Sequence, residues 1–551
     1  MKNLAEEGFD VTGFERSSSI GGVWSYEDTP TKTTALKSTY ANGSKYKICF
    51  TDFPYSAVVR LTADLLVHLR LDTPAFPHAS QVHQYLKDYA AHFNLYGSVH
   101  TNIDILAITR NEEDVCWDLR LRKNTSVAAE VVKQFDRVVI ATGINQIPVI
   151  PEIDGIEKFR GTVIHSQQFK NPDAFTGQRV LVVGLNNSAG DTATSLLGHA
   201  AKIYLSHRGG TILLKRWNKN KPVDHDISWT RLQIMQKYMD YVPSLYNWSV
   251  LQLQNKLCPV LPEWKLNDNL PPFTQRLPLI NDSLVPAMHE GKIIPVANLA
   301  TILDAHTVRL ADGTTIPDLD AIIFCTGYRP DFSILGAYEA QFTRPYRGHV
   351  PDDQGSSSSP AKQLPRLYQN IFSLEYPDSL AYICGVGFQM PVFHVYDLAT
   401  MALAQVWKGA AQLPSGETMR AQAERHYEWL LERERWGNGN TNGNDNGTVR
   451  RSVHTDLVQA PEWYRWVNET AGTGVYEKLG YGAEGWRFWW WEREFCGTLM
   501  HGMFSPHTYR LFEGGRRKRW DGARDEILRV VREIEEMGRD GAGDGIGGKM
   551  E

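Results

Sequence analysis

Residues 179–190 have the sequence RVLVVGLNNSAG, a short apolar run followed by a turn of small and polar residues. Arg179–Val183 predicts a buried β-strand, and the residues after the turn have helical spacing. Gly184, Asn186 and Ala189 occupy the positions of a GxGxxG/A nucleotide-binding turn, with asparagine in place of the second glycine. Asparagine tolerates a left-handed backbone better than most residues, so the turn is still predicted to present a helix N-terminus to phosphates.

Similar apolar runs lie on both sides of this unit. Residues 136–143 (DRVVIATG) and 320–328 (DAIIFCTGY) each predict a buried strand that ends in a small-residue turn. Residues 202–206 predict the second strand of the central unit. This order is typical of an α/β protein in which one dinucleotide-binding unit is inserted within another.

The central unit also indicates which nicotinamide cofactor it binds. In NAD-binding units, an acid near the end of the second strand binds the ribose 2′-hydroxyl. Residues 203–208 contain no acid and end in Arg208, whose cation would accommodate a 2′-phosphate. The sequence therefore predicts NADP(H) rather than NAD(H). The alternative is that Arg208 is a solvated surface residue.

The chain begins with features of the middle of a dinucleotide-binding unit. Residues 2–8 predict the end of an amphipathic helix closed by Gly8, and residues 9–15 predict a strand that ends in Glu15. The acid that binds the ribose lies ~20 residues after the glycine turn, and that distance from Glu15 runs off the chain. We therefore expect the first strand and the GxGxxG turn to be absent, as in an N-terminally truncated chain. The alternative is an ordinary helix–strand start with an unrelated glutamate.

Composition excludes several classes of protein. The 551 residues include 58 basic and 63 acidic side chains, and the net charge of −5 excludes a globally basic nucleic-acid binder. No run of about 18 apolar residues predicts a transmembrane helix. Six scattered cysteines, without a CxxC pair or zinc-like histidine spacing, predict no metal site and a reducing, cytoplasmic location. Glycine-rich residues 437–449 and 538–551 are predicted to be disordered.

Several motifs carry a family resemblance. Residues 159–169 (FRGTVIHSQQF) resemble the FxGxxxHxxx(Y/F) fingerprint of flavin-containing monooxygenases of the dimethylaniline type, with Phe159, Gly161, His165 and Phe169 at the defined positions. The further matching motifs are SIGGVW at 19–24, FTDFP at 50–54, FCTGY at 324–328, YRL at 509–511 and WDGAR at 520–524. The resemblance extends from residue 2 to about residue 530 and is weak at 220–290 and 410–480.

The resemblance implies two nested Rossmann-like dinucleotide-binding domains, with the NADP domain inserted in the FAD domain. We expect the FAD-binding domain at residues 1–158 and 329–535, and the NADP-binding domain at 159–328 with an insertion near 220–290. The resemblance also implies that NADPH reduces FAD and that molecular oxygen then forms a C4a-hydroperoxyflavin. The distal oxygen would pass to a nucleophilic nitrogen or sulfur of a small molecule.

The resemblance also implies roles for individual residues. Aligned on FTDFP, Asn42 corresponds to the family's active-site asparagine, whose amide donates to the reduced flavin or to the retained nicotinamide; the alternative is a plain Asn42-Gly43 turn. His165 is expected to be structural or to position the cofactor, and not to act as a base. The implied FAD-binding residues are Glu15, Gly21, Gly22, Trp24, Thr142, Gly143 and Gln389. The implied NADP-binding residues are Gly184, Asn186, Asn187, Ser188, Ala189, Arg208, Thr326 and Gly327.

Two other functions stay open at this point. A Baeyer–Villiger monooxygenase inserts oxygen beside a ketone, but the fingerprint of that group typically ends in tryptophan, or in tyrosine in some members, where this chain has Phe169. A non-catalytic NADP-binding remnant that lacks the FAD turn is the second alternative, although a truncated gene model accounts for the same N-terminus. The cationic residues 516–519 predict a solvated loop, with peripheral attachment to a membrane surface as the alternative.

Overall fold

The computed structural model of the chain describes residues 1–55, 58–60, 66–68, 73–124, 129–219, 221–268, 270, 273, 277–345, 363–387, 392–437, 456–512 and 517–543. The fold is α/β, with two Rossmann-type units of which one is inserted in the other. Gln389 and the predicted disordered residues 438–449 and 544–551 lie outside the described residues.

A five-stranded parallel sheet forms the inserted unit. Its strand order is Thr162–His165, Ala321–Phe324, Arg179–Val183, Lys202–His207 and Ile293–Ala297. Side chains of a strand alternate between the two faces, so Val180 and Val182 pack with helix Asn187–Ser195, whereas Leu181 and Val183 pack in the cluster on the other face. Because both faces are covered, the middle of this strand is fully buried, as expected for a parallel sheet.

Two short linker strands mark where the chain enters and leaves the inserted unit. Ile147–Pro148 pairs antiparallel with Tyr328–Arg329. All five strands of the inserted sheet lie between these linkers in the chain. Leu380–Tyr382, from beyond the second linker, pairs in parallel with Val138–Ile140, from before the first linker. This pairing makes the topology nested, because the outer unit is assembled from both sides of the insertion.

The other strands of the described residues form smaller sheets. Gly13–Glu15 pairs in parallel with Val99–Thr101. The sheet that holds Leu380–Tyr382 continues to Phe372–Ser373 and Leu367–Tyr368. Two three-stranded antiparallel sheets consist of Ile103–Arg110, Trp117–Lys123 and Glu130–Phe135, and of Leu299–Ile302, Val308–Leu310 and Thr315–Ile316. Further strand pairs are Val58–Arg60 with Leu66–His68, Leu213–Leu214 with Leu279–Ile280, Trp217–Asn218 with Lys221–Pro222, and Thr343–Pro345 with Gln363–Pro365.

Helix Val392–Trp407 lies in the main hydrophobic core, where its residues Val395, Leu398 and Ala402 are fully buried. It packs against helices Lys2–Glu6 and Ala460–Ala471, which come from opposite ends of the chain. The other α-helices of the described residues are Ala79–His92, Asn187–Ser195, Trp229–Tyr241, Pro243–Leu257, Leu284–His289, Glu339–Phe342, Gly416–Gly437, Val475–Lys478, Ala483–Trp491, Arg493–His501 and Ala523–Gly543. Within the described ranges, none of these helices is long and apolar enough to cross a membrane.

The predicted insertion near residues 220–290 contains a helical hairpin, Trp229–Tyr241 and Pro243–Leu257. Trp229 and Leu232 are buried in the main core, and the Trp229 ring lies 5.8 Å from the ring of Phe504. The end of the insertion packs instead on the inserted sheet, through Leu279 and the helix that follows it. The insertion therefore connects the inserted unit to the C-terminal helices.

Two distant sequence motifs meet in a buried polar cluster. Arg510 of the YRL motif lies 3.3 Å from the carboxylate of Asp52 in FTDFP, and it also pairs with Glu6 at 3.1 Å. Asp397, on the core helix, accepts a hydrogen bond from the Thr51 backbone N–H at 3.0 Å. Buried charges are stable when they are paired. The cluster therefore holds the first helix, the FTDFP segment and the C-terminal region together.

Local structure departs from the sequence predictions in three places. The strand predicted at residues 9–15 is shorter, Gly13–Glu15. The disorder predicted at 538–551 is wrong for residues 538–543, which belong to helix Ala523–Gly543, and Gly437 is likewise helical. A helix that has formed gains one hydrogen bond for each residue it adds. The last helix is anchored by the buried Ile527 and Val530, so it continues into its glycine-rich end.

Of the cationic residues 516–519, Arg516 lies outside the described residues, and the other three differ in their exposure to solvent. Arg517 is buried and donates to the carbonyl of Tyr509, whereas Arg519 is exposed and pairs with Asp521 at 3.1 Å. The prediction of a solvated loop is therefore wrong for Arg517, because its guanidinium caps a buried carbonyl group. Because Arg517 is buried and Arg519 is paired with Asp521, these two arginines offer less positive charge to a membrane surface than the sequence suggested.

Candidate active site

The glycine turn of the inserted unit is built where two neighbouring strands end. Gly184 has a φ of 130°, a conformation that favours glycine. A Cβ atom at this position would overlap the carbonyl oxygen of Cys325, which follows the adjacent strand. Glycine is therefore required here both by the backbone conformation and by the close approach of the second chain segment.

Asn186, at the second glycine position of the pattern, adopts a different conformation from the one predicted. Its backbone is extended (φ −147°), so tolerance of a left-handed conformation has no part in its selection. Asn186 is the N-cap of helix Asn187–Ser195, and its Oδ1 accepts from the Asn187 N–H at 2.9 Å. N-cap residues normally have extended backbones and a side-chain acceptor, which explains asparagine at this position. Ser188 is exposed and Ala189 is fully buried in the first turn of the helix.

Asn42 and Asn187, which the sequence assigned to different units, are hydrogen-bonded to each other. The Nδ2 group of Asn42 donates to Asn187 Oδ1 at 3.2 Å. The same oxygen of Asn187 accepts from the Ile280 N–H at 2.9 Å, and Asn187 Nδ2 donates to the Pro278 carbonyl at 3.3 Å. The structure thus brings the predicted active-site amide directly to the helix that follows the glycine turn of the inserted unit.

Arg216 is a residue of this site that the sequence did not single out. It is buried, and its guanidinium donates to Asn42 Oδ1 at 2.8 Å and to the carbonyl oxygens of Ala41 at 2.9 Å and Tyr40 at 3.0 Å. It also pairs with Asp282 at 3.0 Å. No local sequence pattern distinguishes a site arginine from any other arginine that follows a short strand. The role of Arg216 can therefore be recognised only from its contacts in the folded chain.

A second contact between the two units lies beside the first. The Thr39 hydroxyl donates to Asp191 Oδ2 at 3.1 Å, and Asn281 Nδ2 donates to Asp191 Oδ1 at 3.4 Å. Burial raises the pKa of Asp191 above its ordinary value, and the nearby Arg216 and the two hydrogen bonds oppose that rise. Residues 39–42 are therefore held to the inserted unit at both ends.

On the outer unit, four of the predicted FAD-binding residues lie at the end of strand Gly13–Glu15 or in the short helical turn that follows it. Glu15 ends its strand, and its Oε1 accepts from the Ser17 N–H at 2.7 Å. Gly21 has a φ of 119°, and a Cβ there would lie 2.7 Å from the ring of His83. Gly22 is exposed and Trp24 is half-buried in the same short helical turn, Gly22–Trp24. Glu15 therefore ends strand Gly13–Glu15, and both glycines lie in the segment that follows it.

The other predicted cofactor residues occupy the turns after buried strands. Thr142 is exposed although it follows the buried strand Val138–Ile140, and Gly143 has a φ of 82°. Gly327 is exposed with a φ of 92°, and its carbonyl accepts from the Val149 N–H at 2.9 Å. The Thr326 hydroxyl donates to the Val149 carbonyl, so it fastens the two linkers to each other. Arg208 is exposed directly after strand Lys202–His207.

The four fingerprint residues are packed closely against other parts of the protein. Phe159 and Phe169 are buried, and a Cβ at Gly161 would overlap the carbonyl oxygen of Asp320. His165 is buried with its ring 4.9 Å from that of Tyr328. Burial lowers the pKa of His165 to about 4, so the imidazole is neutral at pH 7. His165 is therefore a buried, neutral residue, and its role in structure or in positioning the cofactor stays a prediction.

The sequence of the chain matches a known protein family over most of its length. The model of the family described as flavin-binding monooxygenase-like matches residues 1–447 of the chain. The chain belongs to this family. Monooxygenase aurF of Gibberella zeae is 40% identical to this monooxygenase over 533 residues, which cover 96% of this chain and 94% of that protein. Flavin-containing monooxygenase 5 of Cavia porcellus is 27% identical over 543 residues, which cover 96% and 88%.

Solved structures share the fold of this monooxygenase. S-allyl-L-cysteine S-oxygenase from Allium sativum has a TM-score of 0.57 at 19% identity, covering 98% of this chain and 95% of that chain. The closed structure of cyclohexanone monooxygenase has a TM-score of 0.55 at 14% identity, covering 86% and 94%. Proteins named for different reactions share this fold, so the fold alone does not determine the substrate class.

Proposed function

We propose that this monooxygenase uses NADPH and FAD to oxygenate a nucleophilic nitrogen or sulfur of a small molecule. The observation that carries the proposal is the hydrogen bond between Asn42 and Asn187. It joins the amide that corresponds to the family's active-site asparagine to the turn that corresponds to the nicotinamide nucleotide site. The amide at this junction belongs to the outer unit and contacts the inserted unit.

The residues of the inserted unit fit an NADP(H) molecule. Gly184 leaves the turn without a side chain. In the first turn of the helix that follows, the N–H groups of Ser188 and Ala189 have no acceptor among the described residues and could donate to an anion. Ser188 is exposed at that helix end, and Arg208 is exposed at the end of the neighbouring strand. The turn at residues 184–189 would hold the pyrophosphate, and Arg208 would hold the 2′-phosphate.

The residues of the outer unit fit the ribose and the edges of FAD. The Glu15 carboxylate is oriented by the Ser17 N–H, and an oriented acid at a strand end is the usual acceptor for ribose hydroxyls. Gly21 and Gly22 have positive φ values, and Gly22 has open space where a side chain would be. Glu15, the two glycines and the exposed Thr142 would therefore hold this part of the cofactor.

Bound FAD would supply the activation of molecular oxygen, with NADPH as the source of two electrons. NADPH, a proton, oxygen and the substrate together give NADP⁺, water and the oxygenated substrate. The side chains of this chain bind and orient the reactants. Asn42 donates an N–H at the junction, and Arg216 and Asn187 hold its amide. The neutral, buried His165 is not required as a base.

Turnover of the FAD-supplemented protein with three probes tests this function. The probes are thioanisole for sulfides, N,N-dimethylaniline for tertiary amines and phenylacetone for ketones. We expect NADPH-dependent formation of the sulfoxide or the N-oxide, and no ester from the ketone. Ester formation alone would favour the Baeyer–Villiger reaction. Absence of NADPH oxidation with every probe would support the non-catalytic alternative.

A further inference from the structure

The guanidinium of Arg216 contacts three consecutive residues of the outer unit. Its Nε donates to the Ala41 carbonyl, and its Nη2 donates both to the Tyr40 carbonyl and to Asn42 Oδ1. Its Nη1 donates to the carboxylate of Asp282 in its own unit. A guanidinium is planar, and its N–H directions are fixed. Four simultaneous acceptors therefore leave Arg216 with one orientation.

This contact decides which end of the Asn42 amide faces each neighbour. An amide oxygen accepts hydrogen bonds and an amide nitrogen donates them, so a cation pairs with the oxygen. With Oδ1 held by Arg216, the Nδ2 group is directed to Asn187. A flipped amide would place its NH₂ group against the guanidinium, with donors on both sides. Among the described residues, one of the two Asn42 N–H groups has an acceptor, so the second is available to a bound molecule.

We propose that Arg216 is a positioning residue that holds the Asn42 amide with its N–H groups toward the nucleotide turn. The proposal rests on the function proposed above for Asn42. Arg216 is buried and acts through Asn42. Because Arg216 belongs to the inserted unit and Asn42 to the outer unit, the amide is oriented correctly while the two units are in contact. The contact thus couples the orientation of the Asn42 amide to the position of the inserted unit.

The first test measures uncoupling, the fraction of NADPH electrons released as hydrogen peroxide, with thioanisole as the probe. Arg216→Met should raise this fraction as much as Asn42→Ala does, by about 10-fold for the loss of a charge-assisted hydrogen bond. The double variant should be no worse than either single variant, because both changes remove the same oriented amide. Additive effects of the two substitutions would overturn the proposal.

Lys170→Met is the matched control. Lys170 is another buried cation of the inserted unit, and it donates to the Lys32 carbonyl at 2.7 Å and to the Thr34 hydroxyl at 2.9 Å in the outer unit. We expect this variant to lower thermal stability without raising the peroxide fraction. If Lys170→Met uncouples turnover as strongly as Arg216→Met, loosened contact between the units explains the effect, and the proposal is wrong.

A second readout does not depend on turnover. In protein labelled with ¹⁵N-asparagine, Asn42→Asp should remove one pair of side-chain NH₂ signals and thereby assign them. In Arg216→Met these signals should broaden or shift, because the amide is free to flip, whereas in Lys170→Met they should stay in place. Unchanged Asn42 signals in Arg216→Met would overturn the proposal.

Two other results, an Arg216→Met variant that does not fold and a parent protein without activity, can each be recognised. If Arg216→Met does not fold, Arg216→Lys replaces it, since lysine keeps the charge but cannot span four acceptors. We expect that variant to change the Asn42 signals and the peroxide fraction in the same direction, and no change in either would refute the positioning role. A parent protein that oxygenates none of the probes would refute the proposed function, while the amide signals would still test the contact with Arg216.

Discussion

Gly184→Ala is the most direct perturbation of the glycine turn, which is proposed above to bind the nucleotide. The φ of 130° at Gly184 lies outside the region that residues with a side chain adopt, and such a conformation costs of order 1–3 kcal/mol. The new Cβ would also overlap the Cys325 carbonyl oxygen, so the ends of two neighbouring strands would have to separate. Overpacking of this kind typically costs about 1–3 kcal/mol. We therefore expect the free energy of unfolding of the inserted unit to fall by about 2–6 kcal/mol.

Gly198→Ala is the matched control for this substitution. Gly198 also has a positive φ, 82°, but a Cβ at that position meets open space. It carries the conformational cost of about 1–3 kcal/mol without the overlap. The difference between the two variants therefore isolates the contact with Cys325.

Urea denaturation followed by tryptophan fluorescence measures the stability of both variants, and calorimetry measures NADP⁺ binding at temperatures where both are folded. Gly184→Ala should have the lower midpoint and the weaker binding, whereas Gly198→Ala should bind NADP⁺ as the parent does. If Gly184→Ala has the midpoint of the parent, the turn relaxes at no cost and the reasoning about its geometry is wrong.

Three other substitutions test individual roles. Arg208→Ala should lower kcat/KM for NADPH by about 10- to 150-fold and leave NADH kinetics unchanged, because a charge-assisted hydrogen bond to phosphate is lost; an equal loss with both cofactors would contradict the assignment. Asn42→Asp keeps the acceptor for Arg216 but removes the N–H donors, so stopped-flow absorbance should show normal FAD reduction with increased peroxide release, and normal coupling would contradict the donor role. The pKa of His165 is lowered from 6.5 to about 4, so the stability contributed by its neutral form is complete above pH 6.5 and is lost as the pH falls to 4. His165→Asn should therefore reduce the acid-induced loss of unfolding free energy across that window by up to about 3 kcal/mol, and an unchanged pH profile would argue against this account.

The strands and the glycine turn could be predicted because each depends on residues that are close together in the chain. The order of the units could be predicted because it follows the order of these motifs. The apolar run Arg179–Val183 and the glycine that ends it are sufficient to indicate a buried strand and a tight turn. The order of the motifs along the chain predicted the nesting, which the pairing of Leu380–Tyr382 with Val138–Ile140 confirms. Predictions about element ends were weaker, because caps and helix propagation depend on packing, as at Asn186 and at residues 538–543.

The contacts of the candidate site required the tertiary structure. The sequence indicated Asn42 and Asn187 separately, through two motifs, but it contained no signal for their hydrogen bond or for Arg216. A local pattern reports on backbone conformation and on which face of an element is apolar, since both repeat over a few residues. Which side chains of the two units meet depends instead on how their sheets pack. That packing buries Arg216, with its charge, against residues 174 to 176 positions away in the chain, and so decides the orientation of the Asn42 amide.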